Sequence, residues 1–115
     1  MEASIINVTS ILAIVPKESA PVYSATKAAL RSFSRTLRWQ LEGTSVRVLE
    51  VIPPVVDTAM TAGRGSDKVS PETVAEHVWQ AYLEDKSEVF VGKARAASVL
   101  ARIAPSLAES IIRRS

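Results

Sequence analysis

The chain contains no cysteine and a single histidine, His77. Without cysteine there is no disulfide frame, no thiol nucleophile and no thiolate-ligated zinc, and one imidazole cannot build a histidine-rich metal site alone. Charge of one sign is also scarce: 14 Lys and Arg face 12 Asp and Glu, a net charge of +2. That balance does not suit a protein whose main task is to neutralise phosphates, so nucleic acid is not an expected partner. Long hydrophobic runs are missing as well. The longest uncharged stretch runs from Ala3 to Pro16 and is interrupted by Asn7, Thr9 and Ser10, too short and too polar to span a bilayer. Glu2 stands where an export signal would carry a positive charge, and a cytoplasmic location is expected. Glycine is limited to Gly43, Gly63, Gly65 and Gly92, so no glycine-rich phosphate cradle can be assembled. Gly63-Arg64-Gly65 has Lys68 where a third glycine would fall.

What is present is the composition of a folding domain. In 115 residues, 47% are hydrophobic and 23% charged, near the average for soluble globular domains, which excludes disorder and low-complexity classes. This length predicts a single domain over residues 1–115 with one core. Residues 4–8 are largely β-branched and close to continuously apolar, the pattern of a parallel strand covered on both faces. From Pro21 to Gly43 the period becomes helical, with Ala25, Ala29, Phe33 and Leu37 spaced by four, Pro21 in the first turn and Gly43 as C-cap. Val46 to Ile52 reads as a second strand, stopped by Pro53 and Pro54. Residues 57–70 read as a mobile loop. Ser70-Pro71-Glu72 starts a second helix that runs to about Asp85, with Val74, Val78, Ala81 and Tyr82 on its inner face. Glu88 to Val91 is a short third strand, and residues 94–104 and 106–114 are amphipathic helices split by Pro105. This order predicts right-handed parallel crossovers, hence an α/β layer fold with about three strands and flanking helices. Ligands of such sheets sit beyond the carboxyl ends of the strands, here residues 9–15, 53–65 and 92–95.

At those ends lie polar side chains with chemistry. Tyr23 and Lys27 are four apart on the first helix, so their tips can converge on one ligand. An ammonium held beside a phenol favours the phenolate, which suits an acid/base catalyst. Ser10 closes the first strand, and its hydroxyl could donate to the same substrate oxygen. Taken alone, a Tyr-x-x-x-Lys spacing is weak and a helical lysine is usually a solvated charge. The context adds weight: the pair opens a helix after a strand ending Asn7-Val8-Thr9-Ser10, and the next strand ends Pro53-Pro54-Val55-Val56-Asp57-Thr58.

These residues resemble the second half of a short-chain dehydrogenase/reductase, from Ala3 to about Val91. The resemblance implies a partial Rossmann-like, doubly wound parallel sheet and an oxidoreductase that moves a hydride between NAD or NADP and a carbonyl or alcohol substrate. By it, Ser10 orients the substrate, Tyr23 is the catalytic acid/base, and Lys27 holds the nicotinamide ribose and favours the tyrosine's ionised form. Asn7 matches a structural asparagine. Pro53, Pro54, Val56 and Thr58 match the segment that touches the nicotinamide and pyrophosphate, with Pro54 where the family usually has glycine. The family's glycine-rich turn, its Asn-Ala-Gly segment and its catalytic asparagine are absent, which reads as a truncated member that lacks the adenosine-binding half and is inactive alone. An association with a missing N-terminal half, or a homo-oligomer formed through the open first strand and the long helix, is expected. A non-catalytic remnant acting as an interaction module is the alternative.

Other residues carry blander expectations. Lys27, Arg31, Arg35 and Arg38 form a basic stripe read as a solvated face. Trp39 and Trp79 are expected to bury apolar area, and His77 to lie at the surface. Val99, Leu100, Ile103, Leu107, Ile111 and Ile112, with Arg102, Arg113 and Arg114, suit a membrane surface or a partner subunit, the subunit being preferred on the residues alone.

Overall fold

The computed structural model describes residues 2–54 and 69–114. The elements are β1 (Ala3–Val8), a 3-10 turn (Ile11–Ala13), α1 (Pro21–Gln40), β2 (Val46–Ile52), α2 (Pro71–Leu83), β3 (Glu88–Phe90), α3 (Lys93–Ile103) and α4 (Pro105–Ile112). The three strands form one parallel sheet in the order β1-β2-β3, with Ile5 opposite Val48 and Val51 opposite Val89. The α/β fold with a parallel three-stranded sheet and flanking helices is as expected, and each element lies within a few residues of its expected place. The expected loop over residues 57–70 falls outside the described residues except for Val69 and Ser70.

β2 is the centre. Val48 to Ile52 are all buried, and Leu49, Val51, Ala81 and Val91 form the core, with Val69, Val74, Val78 and Val89 packed against it. The inner face of α2 is therefore the one its sequence period predicted. Ser70 caps α2 by accepting a hydrogen bond from the Thr73 amide at 3.1 Å, and Pro71 occupies the first turn. Gly92 enters α3 at φ +57°, a backbone conformation that side chains rarely adopt, and leaves little room for one: a Cβ there would lie 3.3 Å from Val69 Cγ2. α1 ends at Gln40 with Leu41 as its cap, and Gly43 makes the left-handed turn (φ +81°) two residues later instead of capping the helix itself.

Three expectations are corrected. The basic stripe of α1 is a solvated face only at Arg35, which is exposed. Arg38 donates to the carbonyls of Val48 at 3.3 Å and Ser87 at 3.0 Å, Lys27 donates to Val8, and Arg31 reaches a buried carboxylate in the sheet. Ser24 and Ser34, small enough to let the helix approach closely, are its buried residues. The reason is that β1 and β2 present polar groups to this helix: Asn7 Nδ2 donates to Ser34 Oγ at 3.0 Å, and long cationic stems can lie along apolar surface while their heads bond carbonyls. The spaced-by-four apolar residues Ala25, Ala29 and Phe33 are consequently exposed. Trp39 and Trp79 do not bury most of their area, being 59% and 61% exposed. Trp79 instead stacks on Tyr82 with ring centroids 5.7 Å apart, and Arg47 covers the Tyr82 ring at 4.9 Å. Finally, β1 is not covered on both faces by the described residues, since Ile5, Ile6 and Val8 are all exposed. No helix among the described residues is long and apolar enough to cross a membrane.

Candidate functional site at the carboxyl ends of β1 and β2

The chain leaves β1 through Thr9 and Ser10, both buried. Their backbone continues the sheet register: the Thr9 amide donates to Val51 at 2.9 Å and the Ile11 amide to Pro53 at 3.2 Å. Ser10 caps the 3-10 turn, its hydroxyl accepting from the Leu12 amide at 3.1 Å. That contact uses an oxygen lone pair and leaves the hydroxyl proton available to donate.

α1 brings Tyr23 and Lys27 to this end of the sheet. The Lys27 ammonium lies 5.6 Å from the centroid of the Tyr23 ring and donates to the Val8 carbonyl at 3.1 Å, two residues before Ser10. The expected convergence of the pair is present, and the lysine links the helix to the strand end. Tyr23 is 44% exposed, so a ligand could reach its phenol. No hydrogen bond joins Ser10 to Tyr23 among the described residues. Pro53 is buried and follows β2 directly, and Pro54 lies beside Gly92. Val56 and Thr58 lie outside the described residues. A cleft of about 610 Å³ runs between the 3-10 turn, the first turns of α1 and the C-terminal end of α4, with Leu12, Pro16, Pro21, Ala25, Lys17 and Arg113 among its lining. Tyr23 and Lys27 are not part of that lining, so the cleft is separate from the convergence point.

Sequence reasoning missed the strongest polar cluster beside this site. Glu50, in the middle of β2, is 0% exposed. One carboxylate oxygen accepts from Arg31 Nη1 at 2.7 Å and the other from Thr9 Oγ1 at 2.7 Å, while Arg31 also approaches Glu88 at 3.7 Å. A buried carboxylate requires such partners. The signal was available: a lone acid in Val-Arg-Val-Leu-Glu-Val-Ile, an otherwise apolar central strand, demands a cation from the covering helix. The cluster ties α1 to the residue before Ser10 and so fixes the relative placement of Ser10 and Lys27. His77 lies exposed on α2, its Nδ1 2.8 Å from the Thr73 carbonyl.

Comparison with known proteins decides the family. The family model for short chain dehydrogenase matches residues 1–69. The chain belongs to the short-chain dehydrogenases. It is 45% identical over 95 residues to the uncharacterized oxidoreductase DltE of Bacillus subtilis, which covers 76% of this chain and 37% of that protein. An uncharacterized oxidoreductase of Staphylococcus aureus is 39% identical over 85 residues, covering 71% of this chain and 37% of that one. Among solved structures, a short chain dehydrogenase of Burkholderia cenocepacia in complex with NADP superposes with a TM-score of 0.87 at 30% identity, over 96% of this chain and 47% of that one. A short chain dehydrogenase/reductase of Burkholderia phymatum in complex with NAD, at 20% identity and a TM-score of 0.75, shares the fold. The chain thus spans less than half the length of these relatives. Its fold is that of the short-chain dehydrogenase oxidoreductases, whose solved members include NADP and NAD complexes.

Proposed function

We propose that the chain is the catalytic half of an NAD(P)-dependent short-chain oxidoreductase acting on a small carbonyl or alcohol substrate. Lys27 carries this reading: its ammonium sits over the Tyr23 ring and is anchored to the strand end that bears Ser10. A dinucleotide held there would supply the hydride that reduces the carbonyl carbon. The Tyr23 hydroxyl gives its proton to the carbonyl oxygen, Ser10 donates a hydrogen bond to that oxygen, and Lys27 stabilises the tyrosinate left behind. The donors at this end fit a nicotinamide ribose: an ammonium keeps two further protons after bonding Val8, and ribose hydroxyls accept them. Pro53, Pro54, Val56 and Thr58 would follow the nicotinamide and pyrophosphate, in keeping with the family pattern.

Residues 1–115 hold no glycine-rich turn to cradle the rest of the pyrophosphate; in this reading they act in the cytoplasm as one partial Rossmann-like domain, catalytically competent only together with a glycine-rich half that lies outside these residues, or within a homo-oligomer. A second reading, a non-catalytic interaction module, draws on the exposed side chains of β1, an end strand whose free backbone groups invite pairing.

Thermal unfolding separates the two readings. The chain is scanned alone and mixed with the part of the similar Bacillus subtilis oxidoreductase that it does not match, with and without NADPH or NADH. The catalytic reading expects a rise only in the mixture, worth about 2.7 kcal/mol at a hundredfold excess over Kd, and its loss in Lys27→Ala. A mixture that forms but ignores both dinucleotides favours the interaction module.

A further inference from the structure

The last two helices carry a surface that neither the sheet nor the candidate site uses. Val99, Ile103, Leu107 and Ile111 are each at least half exposed, Ile103 at 75%. At 100° per residue, Val99 and Ile103 stand opposite Ala94, which is buried at 1%, and Ala101. The inner side of α3 thus faces the domain, with Ala94 packed in and Ser98 and Ala101 lining a cleft with Val15 and Phe90, and its outer pole is aliphatic. Arg95 and Arg102 border one side of that pole, each also lining a cleft on that side, and have no ion-pair partner among the described residues. Arg114 follows α4, and Arg113 is bonded to Glu18 at 3.0 Å.

Charge is segregated in the same way. Residues 93–115 hold Lys93, Arg95, Arg102, Arg113 and Arg114 against Glu109 alone, a net charge of +4, so a chain of net +2 leaves −2 on the other 92 residues. An aliphatic pole with a cationic border fits an anionic, apolar-backed surface. A second copy fits poorly. A two-fold interface would set this face on itself and bring both sets of arginines together with only Glu109 of each copy to offset them.

We propose that α3 and α4 form an interfacial anchor that lies flat on an anionic lipid bilayer, with Val99, Ile103, Leu107 and Ile111 entering the headgroup boundary and Arg95, Arg102 and Arg114 meeting lipid phosphates. Neither helix spans the bilayer: at 1.5 Å per residue they are about 16 and 12 Å long. The inference is independent of the oxidoreductase reading and stands or falls without catalysis.

Co-sedimentation of the 115-residue chain with sucrose-loaded vesicles tests it, using phosphatidylcholine alone and phosphatidylcholine with about one-third phosphatidylglycerol. The expected result is at least about tenfold tighter partitioning to the anionic vesicles, lost at high salt. Ile103→Glu with Leu107→Glu abolishes partitioning. Arg95→Gln with Arg102→Gln weakens it to the neutral-vesicle level. All four positions lie on the exposed sides of the helices, and unchanged circular dichroism confirms that the variants fold. Equal partitioning to both vesicles, or variants that bind like the parent, overturns the proposal. So does a concentration-dependent dimer without vesicle binding that Ile103→Glu dissolves, which would assign the face to a second copy.

Discussion

Removing the Arg31 guanidinium leaves the Glu50 carboxylate inside the sheet with only the Thr9 hydroxyl as a partner at 2.7 Å. Breaking one side of a buried ion pair costs about 3–5 kcal/mol, because the remaining charge stays desolvated and uncompensated. Thr9 still donates and Arg31 is itself partly exposed, so Arg31→Met falls at the lower end, about 3 kcal/mol. For a domain of this size, at about 4 °C per kcal/mol, the midpoint drops by about 12 °C. Replacing both partners, Arg31→Met with Glu50→Leu, removes the charge as well as its partner and costs no more than about 1 kcal/mol against the parent. The cycle of two single variants and the double variant then shows a coupling of about 3 kcal/mol. Urea and thermal unfolding followed by circular dichroism give these numbers. An Arg31→Met variant within about 1 kcal/mol of the parent, or additive single changes, would refute the assignment of Glu50 as a buried charge held by α1.

The remaining predictions concern caps, a turn and one titration. Gly92→Ala must carry a Cβ at φ +57° with Val69 Cγ2 3.3 Å away and loses about 1–3 kcal/mol in urea unfolding; an unchanged midpoint would contradict the backbone described there. Ser70→Ala removes the acceptor for the Thr73 amide and costs about 1 kcal/mol, while Ser70→Asp, which keeps an acceptor, stays close to the parent. The Glu84 carboxyl is held below the ordinary carboxylate range, first by the hydrogen bond from the Gln80 amide and then by Lys86. Its folded value being lowered, the small stabilisation it gives is present above that ordinary range and disappears as pH falls through the lowered value. An NMR titration of Lys86→Ala should move the Glu84 midpoint up, and an unmoved midpoint would contradict the role given to Lys86.

The elements were legible because their signals are local. A β-branched run ended by Pro53-Pro54 can only stop there, and Ser70-Pro71 and Pro21 open helices by the chemistry of first turns. Tyr23 and Lys27 were legible because a spacing of four on a helix fixes their common side. The orientation of α1 was not. Its apolar residues at intervals of four suggested the buried side, yet the side against the sheet carries Ser24, Ser34, Arg31 and Arg38, because Asn7 and Glu50 present polar groups to it. That choice depends on the sheet surface, which periodicity within one helix does not contain. Glu50 was missed for the same reason, its partners lying 19 and 41 residues away.

Turnover tests the central claim most directly. The 115-residue chain, mixed with the part of the similar Bacillus subtilis oxidoreductase that it does not match, is assayed for NADPH or NADH oxidation with a panel of small aldehydes and ketones, beside the same mixture carrying Tyr23→Phe. Carbonyl-dependent oxidation by the parent mixture, with a fall of at least about a hundredfold in Tyr23→Phe and unchanged folding, is the predicted result. Oxidation that proceeds equally in Tyr23→Phe would contradict the assignment of the proton to that phenol.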